Sequence, residues 1–546
     1  MKPTRARRNT SGRRLGARGI AALVVVSAAA LALSACGSSS SSGAGGTATS
    51  SGSGSGDKAK LQTINLAYNA DMQVPDPDIF YELEGNSVVT SVYEGLVRYK
   101  PNSTVIEGAL ATSWTISPDG KTYTFHLRPG VKFHDGTPFN SAAMKFSFQR
   151  RTKVNSAPAY MLADVTSYDT PNPLTIVVHL DQPVSSFMDY MAAPYGPKAV
   201  SPTLVNAHEV KGDSAQGYLK THDAGTGPYM ITGFDLGIKY TLSAFNGYWG
   251  GAPDVKTITM SIIPDISTQE LKLQSGELSM IMHGLSTNDI SSLEGQGFEV
   301  HRFPAFFKAW IMVNENKGVF KDKALRLALA SAVDKKQLTS EVFGDNATVS
   351  TQFYPAGELP PPDAADTPTF DPTKLADAVK GLSNKKVDIG FSSDDPRNGR
   401  LAELVQTELQ AAGLDATVRG IPIAQVFDLP NHPDQAPDLL LSTVNPDAAS
   451  PETWARIFAN TKGSLNWEQC SVPAADSQMD KGLHATTKSV IDAAYAQAGS
   501  DLISDGCFIT IADVKDVVVA EKGYTNFLHQ MPTVFTVRFG SLKIAG

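Results

Sequence analysis

The sequence predicts a mixed α/β protein, and three observations carry that prediction. Lys121 to Leu127 reads KTYTFHL, with Tyr123, Phe125 and Leu127 on one side and Thr122, Thr124 and His126 on the other. That is the period-two pattern of a half-buried strand. Leu325, Ala328, Leu329, Ala332 and Val333 recur at helical spacing behind a capping Asp322. Leu401, Leu404, Val405 and Leu409 do the same ahead of Gly413, placed as a helix C-cap. Finally, strand-like Val387-Asp388-Ile389-Gly390 precedes this second helix and Ala416-Thr417-Val418 follows it. A βαβ order of this kind implies at least one parallel strand pair.

Taken in chain order, residues 1–35 carry Lys2, Arg5, Arg7, Arg8, Arg13, Arg14 and Arg18 and no acid. Ile20 to Leu33 is then a run of Ala, Val, Leu and Ile with one Ser. A spanning helix needs about 20 apolar residues, so this shorter run fits a signal-peptide core better than a retained signal anchor. Leu33-Ser34-Ala35-Cys36 resembles a bacterial lipobox, which makes Cys36 the expected lipidation site and 1–35 the lipoprotein signal peptide. Of residues 37–56, 16 of 20 are Gly or Ser. Such a tether spans roughly 25 Å as a flexible coil and would hold a folded body just off a membrane.

Charge and cysteine count narrow the class. The chain carries −8 overall, so loss of the basic leader leaves about −15. An acidic body without a Lys/Arg stripe argues against a nucleic-acid partner. Cys470 and Cys507 would lie in an oxidising setting and can form a disulfide. The bridge is worth about 4 kcal/mol in the chain-entropy model, and two separate buried thiols are the alternative.

The length beyond residue 35 allows roughly two to four domain-sized units. No second linker resembles the Gly/Ser tract, and Leu359-Pro360-Pro361-Pro362-Asp363 is too short to part domains, so packed units are expected. There is no internal repeat. Arg128-Pro129-Gly130 ends the first strand, Val131-Lys132-Phe133 resumes it, His134-Asp135-Gly136 turns, and Leu174 to Leu180 is a further strand.

Motifs of several enzyme classes are missing: HExxH, GxxxxGK[ST], GxGxxG, CxxC and GxSxG do not occur. His126, His134, His179, His208 and His222 show no ligand spacing, so neither a metal nor another cofactor is expected.

YEGLVRY at 93–99 and ALATSWTISPDGKTYTFHLRPGVKFHDGTPFNSAAMKFSFQR at 109–150 open a longer pattern. GTGPY at 225–229, GYWGGAPDV at 247–255, IIPDISTQELKLQSGEL at 262–278 and MVNENKGVFKDKALRLALASAVDKKQL at 312–338 continue it in order. Together these blocks resemble extracellular solute-binding protein family five, the peptide/nickel-type receptors of ABC importers. The resemblance implies a non-catalytic, two-lobe fold of the periplasmic-binding-protein type (class II), with an extra subdomain in the first lobe. Carried over, the first lobe uses 57–94, 228–307 and 520–546, the subdomain 95–227 and the second lobe 308–519. It also implies a monomeric receptor, lipid-anchored on the outer face of the cell membrane, which closes over a small solute and delivers it to a permease.

Site residues follow from the same resemblance. Peptide-binding members pair a second-lobe carboxylate with the peptide's α-ammonium, and Asp447 in VNPDAASPETW (444–454) stands at the matching offset from Pro451. A desolvated ammonium needs such a partner. Asn445 and Trp454 flank it. Members usually carry an aromatic just before this carboxylate, where this chain has Ser442, Thr443 and Val444. Phe306, Phe307 and Trp310 approach the lobe crossing, and Asn69 follows the first strand at the cleft. After Cys507 stand Phe508-Ile509-Thr510-Ile511, where relatives are often richer in aromatics. An oligopeptide is the leading solute, with an oligosaccharide or metal chelate as alternatives. From other classes, the rivals are a surface lipoprotein that binds a partner or senses, and a cell-wall hydrolase. GTGPY, YWGG and HDG are read as structural turns and packing.

Overall fold

A computed structural model describes residues 54–72, 74–359 and 368–545. Cys36 and the tether up to Ser53 lie outside the described residues. The helix Gly54–Leu61 starts inside the stretch predicted as coil.

The central element is a mixed, 11-stranded sheet. Two long antiparallel strands, Glu299–Val313 and Phe508–Ala520, run through its middle. Beyond the C-terminal end of Phe508–Ala520 the sheet continues through Met280–Ile281, Thr63–Tyr68, Thr257–Ile262, Lys239–Ala244 and Tyr229–Asp235. Beyond the C-terminal end of Glu299–Val313 it continues through Leu439–Val444, Lys386–Ser392 and Asp415–Ile421. The two long strands therefore tie the halves of a two-lobe fold. Their ladder slips between Phe303 and Phe307, and again between Ala309 and Trp310. Such irregularities bend a strand and re-aim its side chains.

Period-two alternation decides what the first long strand presents to each side. Phe306, Trp310 and Met312 enter one core cluster, whereas Phe307, Ala309, Ile311 and Val313 enter another. Lys308 shares the Trp310 side, where its ammonium meets Asp513 at 2.8 Å and donates to the Tyr354 carbonyl at 3.2 Å. The predicted βαβ unit forms: Val387 pairs in parallel with Ala416, and the helix Pro396–Ala411 connects their strands. It buries Leu401, Val405 and Leu409 and ends with Gly413 at φ +94°, a left-handed conformation that favours glycine.

A separate four-stranded antiparallel sheet, ordered Ala111–Ile116, Thr122–Leu127, Thr175–Leu180, Val165–Asn172, lies within 95–227. The helix Ser141–Val154 packs on it, capped by the Asn140 side chain. The strand read from alternation at 121–127 and the further strand expected at 174–180 are both here. Val131-Lys132-Phe133 is not a strand; Lys132 makes only an isolated bridge to Pro138, because Gly130 and Gly136, both at positive φ, bracket too few residues for a ladder. The helix predicted from Asp322 forms over Lys323–Ala332, with Val333 as its C-cap, and a second begins at Lys335. The carboxylate of Asp334 accepts from the Gln337 amide and caps the new start. In GTGPY, a Cβ on Gly225 would lie 2.0 Å from the Val92 carbonyl oxygen, so only glycine admits this approach. Among the described residues no helix is long and apolar enough to cross a membrane.

Candidate ligand-binding site

The strand Leu439–Val444 ends in a buried loop that leads into the short helix Pro451–Trp454. Asp447 sits in this loop, 8% exposed. Tyr81 donates its hydroxyl to Asp447 Oδ2 at 2.5 Å, and Tyr160 donates to the same oxygen at 2.6 Å. Burial pushes the Asp447 carboxyl above its ordinary value, and the two hydroxyl bonds and Arg456 offset part of that rise. Burial, followed by the Asp447 charge, holds both tyrosine hydroxyls far above their usual pKa, so each remains a donor.

Five residues on, in the short helix, Glu452 accepts from the Tyr190 hydroxyl at 2.5 Å and from Arg456 Nε. The Arg456 guanidinium lies 4.0 Å over the Tyr160 ring, a cation–π contact. Tyr99 donates to Asp189 Oδ1 at 2.9 Å and takes the Ala449 amide at 3.0 Å. Burial pushes Asp189 up to about 6. Glu358 is the outlier: both its carboxylate oxygens are buried without a hydrogen-bond partner. Burial and the Asp189 charge drive its pKa well above the ordinary carboxyl range. Glu452 and Asp447 thus interact with the Arg456 guanidinium in a desolvated junction, while the Asp189 charge acts on Glu358 nearby, the latter also facing the Lys308 charge. Such a place suits a ligand that brings positive charge.

The sequence-predicted residues divide into two groups. Trp310 and Trp454 meet at 5.0 Å between centroids, with Phe353, Phe458 and Phe508 around Trp310. Both indole N–H groups are buried without a partner. Phe306 belongs to the same core cluster, and its amide donates to the Met531 carbonyl. Asn445 follows the same strand as Asp447 but donates to the Pro446 and Pro532 carbonyls. Asn69 and Phe307 lie elsewhere, beside His283 and Phe535. Asn69 accepts from Gln269 at 2.8 Å and Phe307 packs edge-on to Phe535. Each borders a small cavity, of about 10 and 20 Å³ respectively.

Cys470 and Cys507 are joined, with Cα atoms 5.9 Å apart. Glu315 and Asp505 approach them closely. The sulfurs are bonded to each other, and Arg326 pairs with both carboxylates, at 2.6 and 3.8 Å. The group is therefore a disulfide beside an ion pair, not a set of metal ligands.

Sequence reasoning missed Tyr81, Tyr160, Tyr190, Asp189, Glu358 and Arg456. Only Arg456 left a local signal, as the i+4 partner of Glu452.

The profile of the bacterial extracellular solute-binding proteins, family 5, matches residues 105–466. The chain is 26% identical over 450 residues to "Probable D,D-dipeptide-binding periplasmic protein DdpA" of Escherichia coli K12, covering 81% of this chain and 86% of that protein. Among solved structures it is similar to the periplasmic binding protein DppA of Helicobacter pylori in complex with the peptide STSA. The TM-score there is 0.77 at 22% identity, over 90% of this chain and 100% of that one. It is likewise similar to NikA of Brucella suis in complex with Fe(III)-EDTA, with a TM-score of 0.78 at 21% identity over 88% and 99% of the two chains.

Proposed function

The chain belongs to the bacterial extracellular solute-binding proteins of family 5, and from that premise we propose that it is the lipid-anchored receptor of an ABC importer, with an oligopeptide as its solute. The observation that carries the reading is the buried Asp447 carboxylate. It lies where a first segment (Tyr81), a second (Tyr160) and its own loop converge. A peptide's α-ammonium can replace the two neutral hydroxyl donors with a charged one, which makes a stronger, charge-assisted bond in a dry site. Trp310 and Trp454, with Phe306 behind them, would form an apolar wall for a peptide side chain. Asn69 and Phe307 would border the cleft at its other end, and Asn445 would fix the Asp447 loop. The similarity to a dipeptide-binding relative and to a peptide complex supports this choice.

In this reading the first lobe comprises 57–94, 228–307 and 520–546, the subdomain 95–227 and the second lobe 308–519. Cys36 carries the lipid and the Gly/Ser tether keeps a monomeric, non-catalytic receptor beside its permease on the outer face of the membrane.

Native mass spectrometry on the chain from Asp57, purified gently, with identification of released ligand, tests the solute class. A bound peptide mixture is the expected result. A glycan or a metal chelate in its place overturns the peptide assignment while leaving the family membership intact.

A further inference from the structure

A larger cavity lies away from Asp447. It encloses about 340 Å³ between residues 90–98, 192–198, 248–250 and 528–541, and none of its lining residues falls within 308–519. That volume is within the range of small-molecule sites. Arg98, Lys198 and Arg538 all line it. Lys198 is 6% exposed and donates to the Ala193 carbonyl at 2.9 Å, and among the described residues it forms no ion pair. Arg538 donates to the Tyr99 carbonyl, and its acidic neighbour Glu107, 3.8 Å away, is held by Arg98 at 2.8 Å.

Glu94 is the one acid among the lining residues. Its oxygens are taken by Tyr248 at 2.9 Å, Trp249 at 2.9 Å and Thr226 at 3.0 Å. The cavity therefore holds more positive than negative charge. A buried ammonium without a counter-ion is unfavourable unless a bound group supplies one. Burial pushes Lys198 down to about 7, with Arg151 and Arg538 adding to the fall and Glu94 opposing it. Burial and then Arg98 push Arg538 down to about 10.

We infer that this cavity is a second binding site, taking a small oxyanion whose carboxylate or phosphate group is held by Lys198, Arg538 and Arg98. Asp447, Tyr81 and Tyr160 do not line this cavity, and Tyr99 connects the two places: its carbonyl accepts from Arg538 while its hydroxyl meets Asp189 and the Ala449 amide. An anion favours the charged form of Lys198, so its binding draws a proton from solution near neutral pH and weakens as pH rises above about 7.

The test is calorimetric titration of citrate, and separately of inorganic phosphate, into the full-length chain in mild detergent at about pH 6 and pH 8. Saturable one-to-one binding of at least one probe is expected, tighter at the lower pH. Which probe binds tells carboxylate from phosphate. Lys198→Met should weaken it by about tenfold or more, and Lys198→Arg should retain it. Arg98 is partly exposed, so Arg98→Gln provides a loss variant that does not disturb the interior. No saturation by either probe at millimolar concentration overturns the inference, as does an affinity in Lys198→Met and Arg98→Gln unchanged from that of the parent chain.

Discussion

Asp447 is a buried carboxylate opposed by its own desolvation and kept in place by two tyrosine hydroxyls. If it pairs with a peptide ammonium, Asp447→Ala should cost about 2–5 kcal/mol of affinity for an amine-terminated peptide. The same peptide with an acetylated terminus should bind weakly to both forms. Unchanged affinity in the variant, measured by titration calorimetry, removes the residue from the site. Asp189 gives a separate, pH-dependent signal. Its carboxyl is raised by burial from 3.8 to about 6, so the folded chain holds that proton more tightly than the unfolded one. The favourable contribution is present below about pH 4 and is lost as pH rises toward 6. Asp189→Asn should therefore flatten the fall in unfolding free energy across this window and stabilise the protein above it. Urea unfolding of both forms at several pH values would show the difference. A parallel offset at every pH would mean that titration of Asp189 is not the cause.

At the scale of elements, local pattern was a good guide wherever one face meets a core. The strand Thr122–Leu127 and the helix Pro396–Ala411 bury the residues that their periodicity marks, with Leu404 half-buried at the edge of the helix stripe. Pattern failed where turns crowd a short segment, as between Gly130 and Gly136. The cysteine bridge also belongs to this scale. It ties the segment ahead of the helix Pro473–Leu483 to the start of the long strand Phe508–Ala520. Replacing both cysteines by serine should lower unfolding free energy by about 2–4 kcal/mol through a freer unfolded chain. The loss should show as a lower denaturation midpoint in urea, and an unchanged midpoint would mean that the surrounding packing alone fixes this corner.

At the scale of the whole molecule, the two long strands connect the lobes, and the junction at Asp447 draws side chains from segments far apart in the chain, Tyr81, Tyr160 and Tyr190 among them. Residues 1–53 act on location rather than on this junction in the proposed reading. Cys36→Ser should accordingly release the protein from membranes without changing its melting temperature or its peptide affinity. Fractionation with a melting curve on the soluble material checks this, and continued membrane retention would restore the signal-anchor alternative.

The sequence by itself determined the α/β class, the strands near 121–127 and 174–180 and the βαβ unit around Pro396–Ala411, because periodicity and capping are properties of neighbouring residues. Its ordered blocks carried the family; the long strands Glu299–Val313 and Phe508–Ala520 were not read from it. The sequence offered Asp447 only through the resemblance to peptide-binding members, and Cys470 with Cys507 through their number and expected surroundings. Only the tertiary structure supplied Tyr81 and Tyr160, which lie 366 and 287 residues from Asp447 in the chain. It alone separated Phe307 and Asn69 from Trp310 and Trp454, and it alone gathered Arg98, Lys198 and Arg538 around one cavity. A local pattern fixes which face of an element is buried; what meets that face depends on topology and on where the long strands bend.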